Sequence, residues 1–127
     1  SAIIDDREIK VFNQGDLSRD FTFIDDIVSG IVLILSNYKY ETPYQIYNIG
    51  NGRPIKLMDF IETLEKALGK EAKKVMMEMQ PGDVSITWAD TSKIQSLGYR
   101  SNTSIEDGIK KLLLWYKDFS GKNQSIF

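Results

Sequence analysis

The stretch Ser18-Arg19-Asp20-Phe21-Thr22-Phe23-Ile24-Asp25-Asp26-Ile27 decides how this chain is built. Polar and aromatic residues alternate over Asp20–Phe23, and this period of two predicts a short strand with one apolar face. From Ile24 to Leu35 the apolar residues recur at helical spacing, and two aspartates near the start suit the positive end of a helix dipole. The stretch therefore predicts a strand followed by a helix, with Arg19 at the mouth of the unit.

Arg19 is the candidate binding residue of this unit. Its guanidinium is planar and can meet two phosphate oxygens at once, so a phosphate site is one interpretation of the position. The other is a solvated surface arginine that pairs at best with Asp20 or Asp16, and such surface pairs contribute little to stability. The residues alone leave both interpretations open.

Composition places the chain among ordinary globular proteins. It has 127 residues, of which 42% are hydrophobic and 27% charged, and its formal net charge is -2. This length supports one modest core, and the charge argues against a general nucleic-acid or anionic-membrane partner. Because cysteine and histidine are absent, disulfides, thiolate metal sites and histidine acid/base chemistry are excluded, and no metal-ligand pattern is recognised.

The sequence also gives an expectation about location. No signal peptide is visible, and the longest apolar run, Ile31–Leu35, is far shorter than the roughly 20 residues of a membrane span. We therefore expect a cytoplasmic protein without membrane contact. The first residue is Ser1 rather than Met, and we expect a piece of a longer protein.

Hydrophobic spacing predicts a mixed α/β order of short strands and helices in one region spanning 1–127. Predicted strands are 9–12, 45–49 and 73–79; predicted helices are 25–37, 57–68, one ending near 97 and a last one opened by a capping box at 103–106. The helix over 25–37 is apolar on nearly every side, which predicts burial on more than one face. Trp115 is expected in the core, and 120–127 is expected to be a disordered tail.

Three segments in a fixed order carry a resemblance to a known family. They are Arg19 with its strand-helix unit, Tyr47-Asn48-Ile49-Gly50-Asn51-Gly52 before an amphipathic helix, and Gln80-Pro81-Gly82-Asp83-Val84 before Trp88-Ala89-Asp90-Thr91-Ser92-Lys93. Together they resemble the C-terminal part of the extended short-chain dehydrogenase/reductase family. Within it, they look most like the NAD-dependent nucleotide-sugar 4-epimerases of the UDP-glucuronate type, and the resemblance covers about 9–119.

The resemblance implies a mixed α/β, C-terminal substrate-binding segment. The Rossmann domain of that family, with its glycine fingerprint and catalytic Tyr-x-x-x-Lys, is absent from this sequence, which contains neither motif. NAD is then the cofactor of the parent enzyme, and this chain alone is expected to bind none and to be inactive. The implied function is to bind the UDP-sugar during UDP-glucuronate/UDP-galacturonate interconversion, in polysaccharide biosynthesis.

The same resemblance implies roles for individual residues. Arg19 would contact the diphosphate, and the main chain of Lys10 and Phe12 would run beside the uracil. Asp83 would accept hydrogen bonds from the ribose hydroxyls. Gln80 stands where galactose-type epimerases of similar pattern often carry a second arginine, which favours a uronate substrate; a solvent-facing turn residue is the alternative for this position.

The resemblance also explains the unusually apolar helix over 25–37. It would pack against the missing N-terminal Rossmann domain, so the chain alone is expected to self-associate. Three alternatives stay open: the same region of a nucleotide-sugar 4,6-dehydratase or decarboxylase, a stand-alone non-catalytic binding or interaction domain, and a purely structural domain in which Arg19 is solvated.

Overall fold

A computed structural model of the chain describes residues 1–37 and 44–120. Its elements in chain order are β1 (Ile9–Val11), a 3-10 turn (Phe12–Gly15), β2 (Ser18–Arg19), α1 (Ile24–Ser36), β3 (Ile55–Lys56), α2 (Leu57–Leu68), β4 (Lys74–Met76), α3 (Ser92–Gln95) and α4 (Ile105–Ser120). Short strands alternate with helices, so the mixed α/β prediction is confirmed. In the ranges given above, no helix has both the length and the apolarity to cross a bilayer.

The strands form two small sheets of two strands each. β1 and β4 are parallel, whereas β2 and β3 are antiparallel with Arg19 opposite Ile55. A parallel bridge also joins Ser18 to Ile86, and the N–H of Thr87 donates to the carbonyl of Ser18 at 3.2 Å. β2 therefore lies between β3 on one side and the segment 85–87 on the other.

The core lies where α2 packs on α4 and along β1, and it continues to Tyr99, which packs against Gly30 of α1. Its buried apolar members among the described residues are Val11, Leu17, Ile61, Leu68, Ile94, Tyr99 and Ile109. α2 has the predicted bounds because its apolar spacing is regular and Gly69 ends it in the left-handed region, at a φ of 61°. The cap of α4 is Ser104, whose hydroxyl accepts from the N–H of Asp107 at 3.1 Å, one residue later than predicted.

Two predicted strands are wrong. Asp20–Phe23 has no ladder, and β2 lies two residues earlier, because the Asp20 side chain rather than a neighbouring strand binds the adjacent main chain. The alternation nevertheless separates two faces, since Phe21 stacks on Phe60 with ring centroids 4.0 Å apart. The segment 45–49 also forms no strand within the described residues, since it makes no ladder with either sheet.

α1 matches its predicted bounds to within one residue and buries only one face. Asp26 and Gly30 are its buried residues. The exposed apolar residues of its other face, with their exposed fractions, are Ile24 (60%), Val28 (50%), Ile31 (46%), Val32 (55%) and Leu35 (71%). We call these five residues the outer face of α1. Within the described chain nothing covers it, although the sequence predicts burial there.

The C-terminal helix departs from the prediction at one position. Trp115 is 56% exposed and stacks on Phe119 with centroids 5.0 Å apart, so its expected core position is wrong. Ser120 is the last residue of α4. The rest of the expected tail, 121–127, lies outside the described residues.

Candidate functional site

Arg19 and Asp83 form an ion pair at the end of β2. Nη2 of Arg19 lies 2.9 Å from Oδ1 of Asp83, and both side chains are half-buried, at 27% and 29% exposed. Nη1 donates to the carbonyl oxygens of Ser18, at 2.9 Å, and Ser85, at 3.2 Å. The structure thus joins two of the predicted site residues that lie 64 positions apart in the sequence.

Both members of the pair keep hydrogen-bonding capacity for a ligand. A guanidinium has five N–H groups, and within the described residues Arg19 keeps at least its Nε–H and one N–H of Nη2. Oδ1 of Asp83 accepts from Arg19 and from the N–H of Val84, whereas its Oδ2 has no hydrogen-bond partner in the same ranges. The free guanidinium edge suits a phosphate, and the free carboxylate oxygen suits a hydroxyl.

This pairing corrects one alternative for Arg19. The surface interpretation gave it Asp20 or Asp16 as a partner, and it pairs with neither within the described chain. Asp16 is exposed, and Asp20 points to a different set of main-chain donors. Asp83, from a distant segment of the chain, holds the guanidinium instead.

The turn at 80–83 presents Asp83 to this site. The N–H of Asp83 donates to the carbonyl of Gln80 at 3.1 Å, and Gly82 has a φ of +83°, which favours glycine. The side chain of Gln80 is exposed and makes no hydrogen bond among the described residues. Gln80 therefore closes the turn through its main chain, and its contact with a ligand stays a prediction.

Lys10 and Phe12 lie on and just beyond β1, apart from the ion pair. The N–H of Ile9 and the carbonyl of Val11 bond toward β4, each at 2.8 Å, so the alternating pattern of a parallel ladder turns the main chain of Lys10 to the other edge. That edge has no strand partner within the described residues. No hydrogen bond or ion pair there links Lys10 or Phe12 to Arg19 or Asp83, and their role stays a prediction.

Asp20 is the main residue of this region that the sequence did not single out. Its Oδ1 accepts from the N–H of Asn51 at 3.0 Å, and its Oδ2 accepts from the N–H groups of Gly52, at 2.9 Å, and Ala89, at 3.0 Å. The hydroxyl of Thr22 donates to Oδ1 at 3.3 Å. The only sequence signal was an aspartate followed, about 30 residues on, by the Gly-Asn-Gly loop.

Gly50 is required where this loop meets Asp20. A Cβ at this position would lie 2.8 Å from Oδ2 of Asp20 and 2.7 Å from Cβ of Ala89, both closer than side chains tolerate. The carbonyl of Gly50 accepts from the phenol of Tyr99 at 3.0 Å. Burial, together with the nearby carboxylates of Asp26 and Asp20, raises the pKa of Tyr99. Tyr99 therefore remains a protonated donor at neutral pH rather than a base.

Asp26 fixes the start of α1 to the loop before α4. Burial acts to raise the pKa of Asp26, but the N–H groups of Asn102 and Thr103 and the hydroxyl of Ser101 outweigh it and hold that pKa below its usual range. The three donor distances are 3.3, 3.1 and 3.0 Å. Asp26 is thus an ionised structural group whose charge is stabilised by fixed donors.

The described residues show no metal site beside this pair. They contain no group of three acidic, cysteine or histidine side chains placed to hold a metal ion. Neither Arg19 nor Asp83 lines the three cavities found among the described residues, although Lys10 lines one of them, which is formed mostly by apolar side chains. The ion pair and the turn at 80–83 therefore form the candidate site of this part of the chain.

The sequence model of the GDP-mannose 4,6-dehydratase family matches residues 2–112, and the chain belongs to that family. It is 40% identical to the UDP-glucuronate 4-epimerase of Thermodesulfobacterium geofontis, over 91% of this chain and 35% of that protein. It is 42% identical to an uncharacterized 37.6 kDa protein of Escherichia coli O111:H-, over 93% of this chain and 40% of that protein.

Solved structures of UDP-glucuronic acid 4-epimerases also resemble this chain. The fold matches the UDP-glucuronic acid 4-epimerase of Bacillus cereus in complex with UDP-glucuronic acid and NAD, with a TM-score of 0.82 and 34% identity, over 93% of this chain and 38% of that one. The resemblance to UDP-glucuronate-type epimerases and the prediction of a C-terminal mixed α/β segment are confirmed. This chain spans 35 to 40% of the length of the three proteins named.

Proposed function

We propose that residues 1–127 are the sugar-nucleotide-binding region of an NAD-dependent 4-epimerase that interconverts UDP-glucuronate and UDP-galacturonate. The observation that carries the proposal is the half-buried Arg19–Asp83 pair, which offers a phosphate-binding cation and a hydroxyl-binding carboxylate side by side. The relatives named as UDP-glucuronate 4-epimerases support the substrate class.

Each predicted residue takes one part of the ligand in this proposal. The free edge of Arg19 binds the diphosphate, and Oδ2 of Asp83 accepts from the ribose hydroxyls. The open-edge main chain at Lys10, continued by Phe12, lies along the uracil. Gln80, exposed on the turn, donates to a phosphate or sugar oxygen without adding charge.

The chemistry belongs to the rest of the whole protein. The oxidation and reduction at C4 of the sugar would use NAD as the hydride acceptor and donor, held by the N-terminal domain rather than by residues 1–127. The buried tyrosine of this region, Tyr99, is a hydrogen-bond donor with a raised pKa, and therefore does not supply the base. Accordingly, this region binds and orients the sugar nucleotide, whereas the base and the nicotinamide come from the N-terminal Rossmann domain.

The same proposal assigns a partner to the outer face of α1. This face is apolar and exposed, and the chain accounts for less than half the length of its relatives. The N-terminal nucleotide domain of the same protein is the occupant that we assign to it. In the absence of that domain, two copies of this chain cover the face by pairing with each other.

A nucleotide titration followed by NMR tests the proposal. UDP should bind more tightly than UMP, because only UDP has the second phosphate, and Arg19→Ala should lower the affinity for UDP about tenfold while leaving UMP nearly unchanged. Arg7→Ala is the matched control, since Arg7 is an exposed arginine that forms an ion pair with Asp5 at 3.4 Å.

The same titration separates the rival substrates. Preference for GDP over UDP would favour the dehydratase alternative, since the family takes its name from GDP-mannose. Equal affinities of the native chain and Arg19→Ala for UDP would contradict the assigned role of Arg19.

A further inference from the structure

The Asp20 carboxylate holds the two segments that flank β2. One is the Gly50–Gly52 loop, which leads into β3 and thus to the residue opposite Arg19. The other reaches Ala89 and continues back to the segment 85–87, which pairs with Ser18. Within the described residues, β2 has no ladder beyond its second residue, Arg19. The Asp20 side chain instead makes the contacts to both neighbouring segments there.

The groups that hold Arg19 lie on the segment that Asp20 anchors. The carbonyl of Ser85 and the carboxylate of Asp83 both bind the guanidinium, and Ala89 follows them within six residues. Ala89 is fixed by its N–H to Oδ2 of Asp20 at 3.0 Å. Releasing this contact frees the segment that positions both partners of Arg19.

The loop around the Asp20 carboxylate leaves no room for these hydrogen bonds to rearrange. Oδ2 of Asp20 lies 2.8 Å from where a Cβ at Gly50 would stand. Gly52 adopts a φ of +71°, and its own Cβ would lie 3.0 Å from the hydroxyl of Thr91. Because the loop fits this closely around the carboxylate, the three N–H donors cannot shift to another acceptor without moving the main chain.

We propose that Asp20 is a positioning residue of the sugar-nucleotide site, which fixes the Arg19 guanidinium for the diphosphate by tying the Gly50–Gly52 loop to Ala89. This inference rests on the proposed function of Arg19. Asp20 itself does not touch the ligand, because its oxygens are occupied by the Asn51, Gly52 and Ala89 N–H groups and the Thr22 hydroxyl.

A double-mutant cycle on the full 127-residue chain tests it, with UDP as the probe and NMR titration as the readout. Asp20→Asn should weaken UDP binding about tenfold in the native background and less than twofold when Arg19 is already alanine. Asp16→Asn, the same change at an exposed position nearby, should leave binding unchanged. An equal loss in both backgrounds would overturn the proposal, because Asp20 would then act independently of Arg19.

A measurement without ligand tests the positioning role of Asp20 even if the chain binds no UDP. Failure to bind UDP would refute only the proposed function. Carbon-detected NMR of the Arg19 guanidinium should show distinct, restricted nitrogen signals in the native chain and in Asp16→Asn, and averaged signals in Asp20→Asn. Unchanged restricted signals in Asp20→Asn would overturn the inference.

A milder variant serves if Asp20→Asn does not fold. Thr22→Ala removes the hydroxyl that accepts from the N–H of Asn51 at 2.9 Å, while it leaves the Asp20 carboxylate in place. It should give partial averaging of the Arg19 signals. Fully restricted signals in a folded Thr22→Ala chain would count against the proposed coupling.

Discussion

The two faces of α1 differ in what they contact within the described residues. On the inner face, Gly30 lies against Ile49 and Tyr99, and Asp26 is fixed by three donors from 101–103. On the outer face, five large apolar residues are exposed by 46 to 71%. One helix of 13 residues thus carries a completed interface and an uncovered apolar one.

A helix with apolar residues on nearly every side can therefore make two different kinds of contact. The inner face needs small or polar residues at fixed positions, because it meets atoms of the same chain at close range. The outer face needs only exposed apolar area, which is favourable once another surface removes it from water. Changes on the inner face should therefore affect folding, whereas changes on the outer face should affect association.

The largest expected effect comes from filling the inner face. In Gly30→Val, the new Cβ would lie 2.8 Å from Cγ2 of Ile49 and 3.2 Å from Cε2 of Tyr99. We expect the free energy of unfolding to fall by about 3 kcal/mol, as for overpacked cores. Denaturant unfolding measures it. Ser36→Val at the exposed end of α1 is the control, with a change within about 0.5 kcal/mol, and an equal effect of the two would contradict the inner-face account.

A smaller loss should follow from Asp26→Asn. The asparagine presents an NH2 group to the donors of Asn102 and Thr103, and we expect about 2 to 3 kcal/mol less stability at neutral pH. Asp25→Asn, which removes an exposed pair with Lys111 and one negative charge at the start of α1, should cost below about 1 kcal/mol.

The pH dependence of this loss has a defined sign. Since the pKa of Asp26 is lowered in the folded chain, its ionised form stabilises the fold above the unfolded pKa of about 3.9. That stability is lost as the pH falls through the folded pKa. The difference between the native chain and Asp26→Asn should thus shrink under acid conditions, and a difference independent of pH would contradict an ionised Asp26.

The smallest effect on stability, with the clearest effect on association, is expected on the outer face. Replacing Val32 by serine and Leu35 by glutamine should change the unfolding free energy of the monomer by only about 0.5 kcal/mol each. It should, however, convert a self-associating chain to a monomer in sedimentation at micromolar concentration. Leu114→Ser, an exposed apolar position on α4, is the control and should keep the association. A native chain that sediments as a clean monomer without binding a hydrophobic dye would contradict the account.

The sequence predicts those parts of the fold that depend on neighbours in the chain. α2 was predicted to the residue because its apolar period and Gly69 are local signals. The Asp20 contacts were not predicted, because they join residues 31 to 69 positions apart. The strand expected at 45–49 fails for the same reason: strand propensity is local, whereas a strand requires a partner edge.

In the candidate site, too, the sequence indicates individual residues but not the contacts between distant segments. Physical reasoning from the residues left two interpretations of Arg19 open, a phosphate-binding residue and a solvated surface arginine. Asp83 was predicted only from the family resemblance. Their contact at 2.9 Å depends on the fold, which brings the turn at 80–83 beside β2. The sequence did indicate the outer face of α1, because it places apolar residues on more than one side of this helix. This pattern is the same whichever surface covers the apolar residues.

The most direct test of the account is one NMR sample that contains this chain, NAD and UDP-glucuronate. The account predicts that saturating the protein signals transfers saturation to the uracil and ribose protons, while no UDP-galacturonate signal grows with time. Absence of saturation transfer, or the appearance of UDP-galacturonate above a protein-free sample, would contradict the central claim that this chain binds the sugar nucleotide and leaves the chemistry to the rest of the protein.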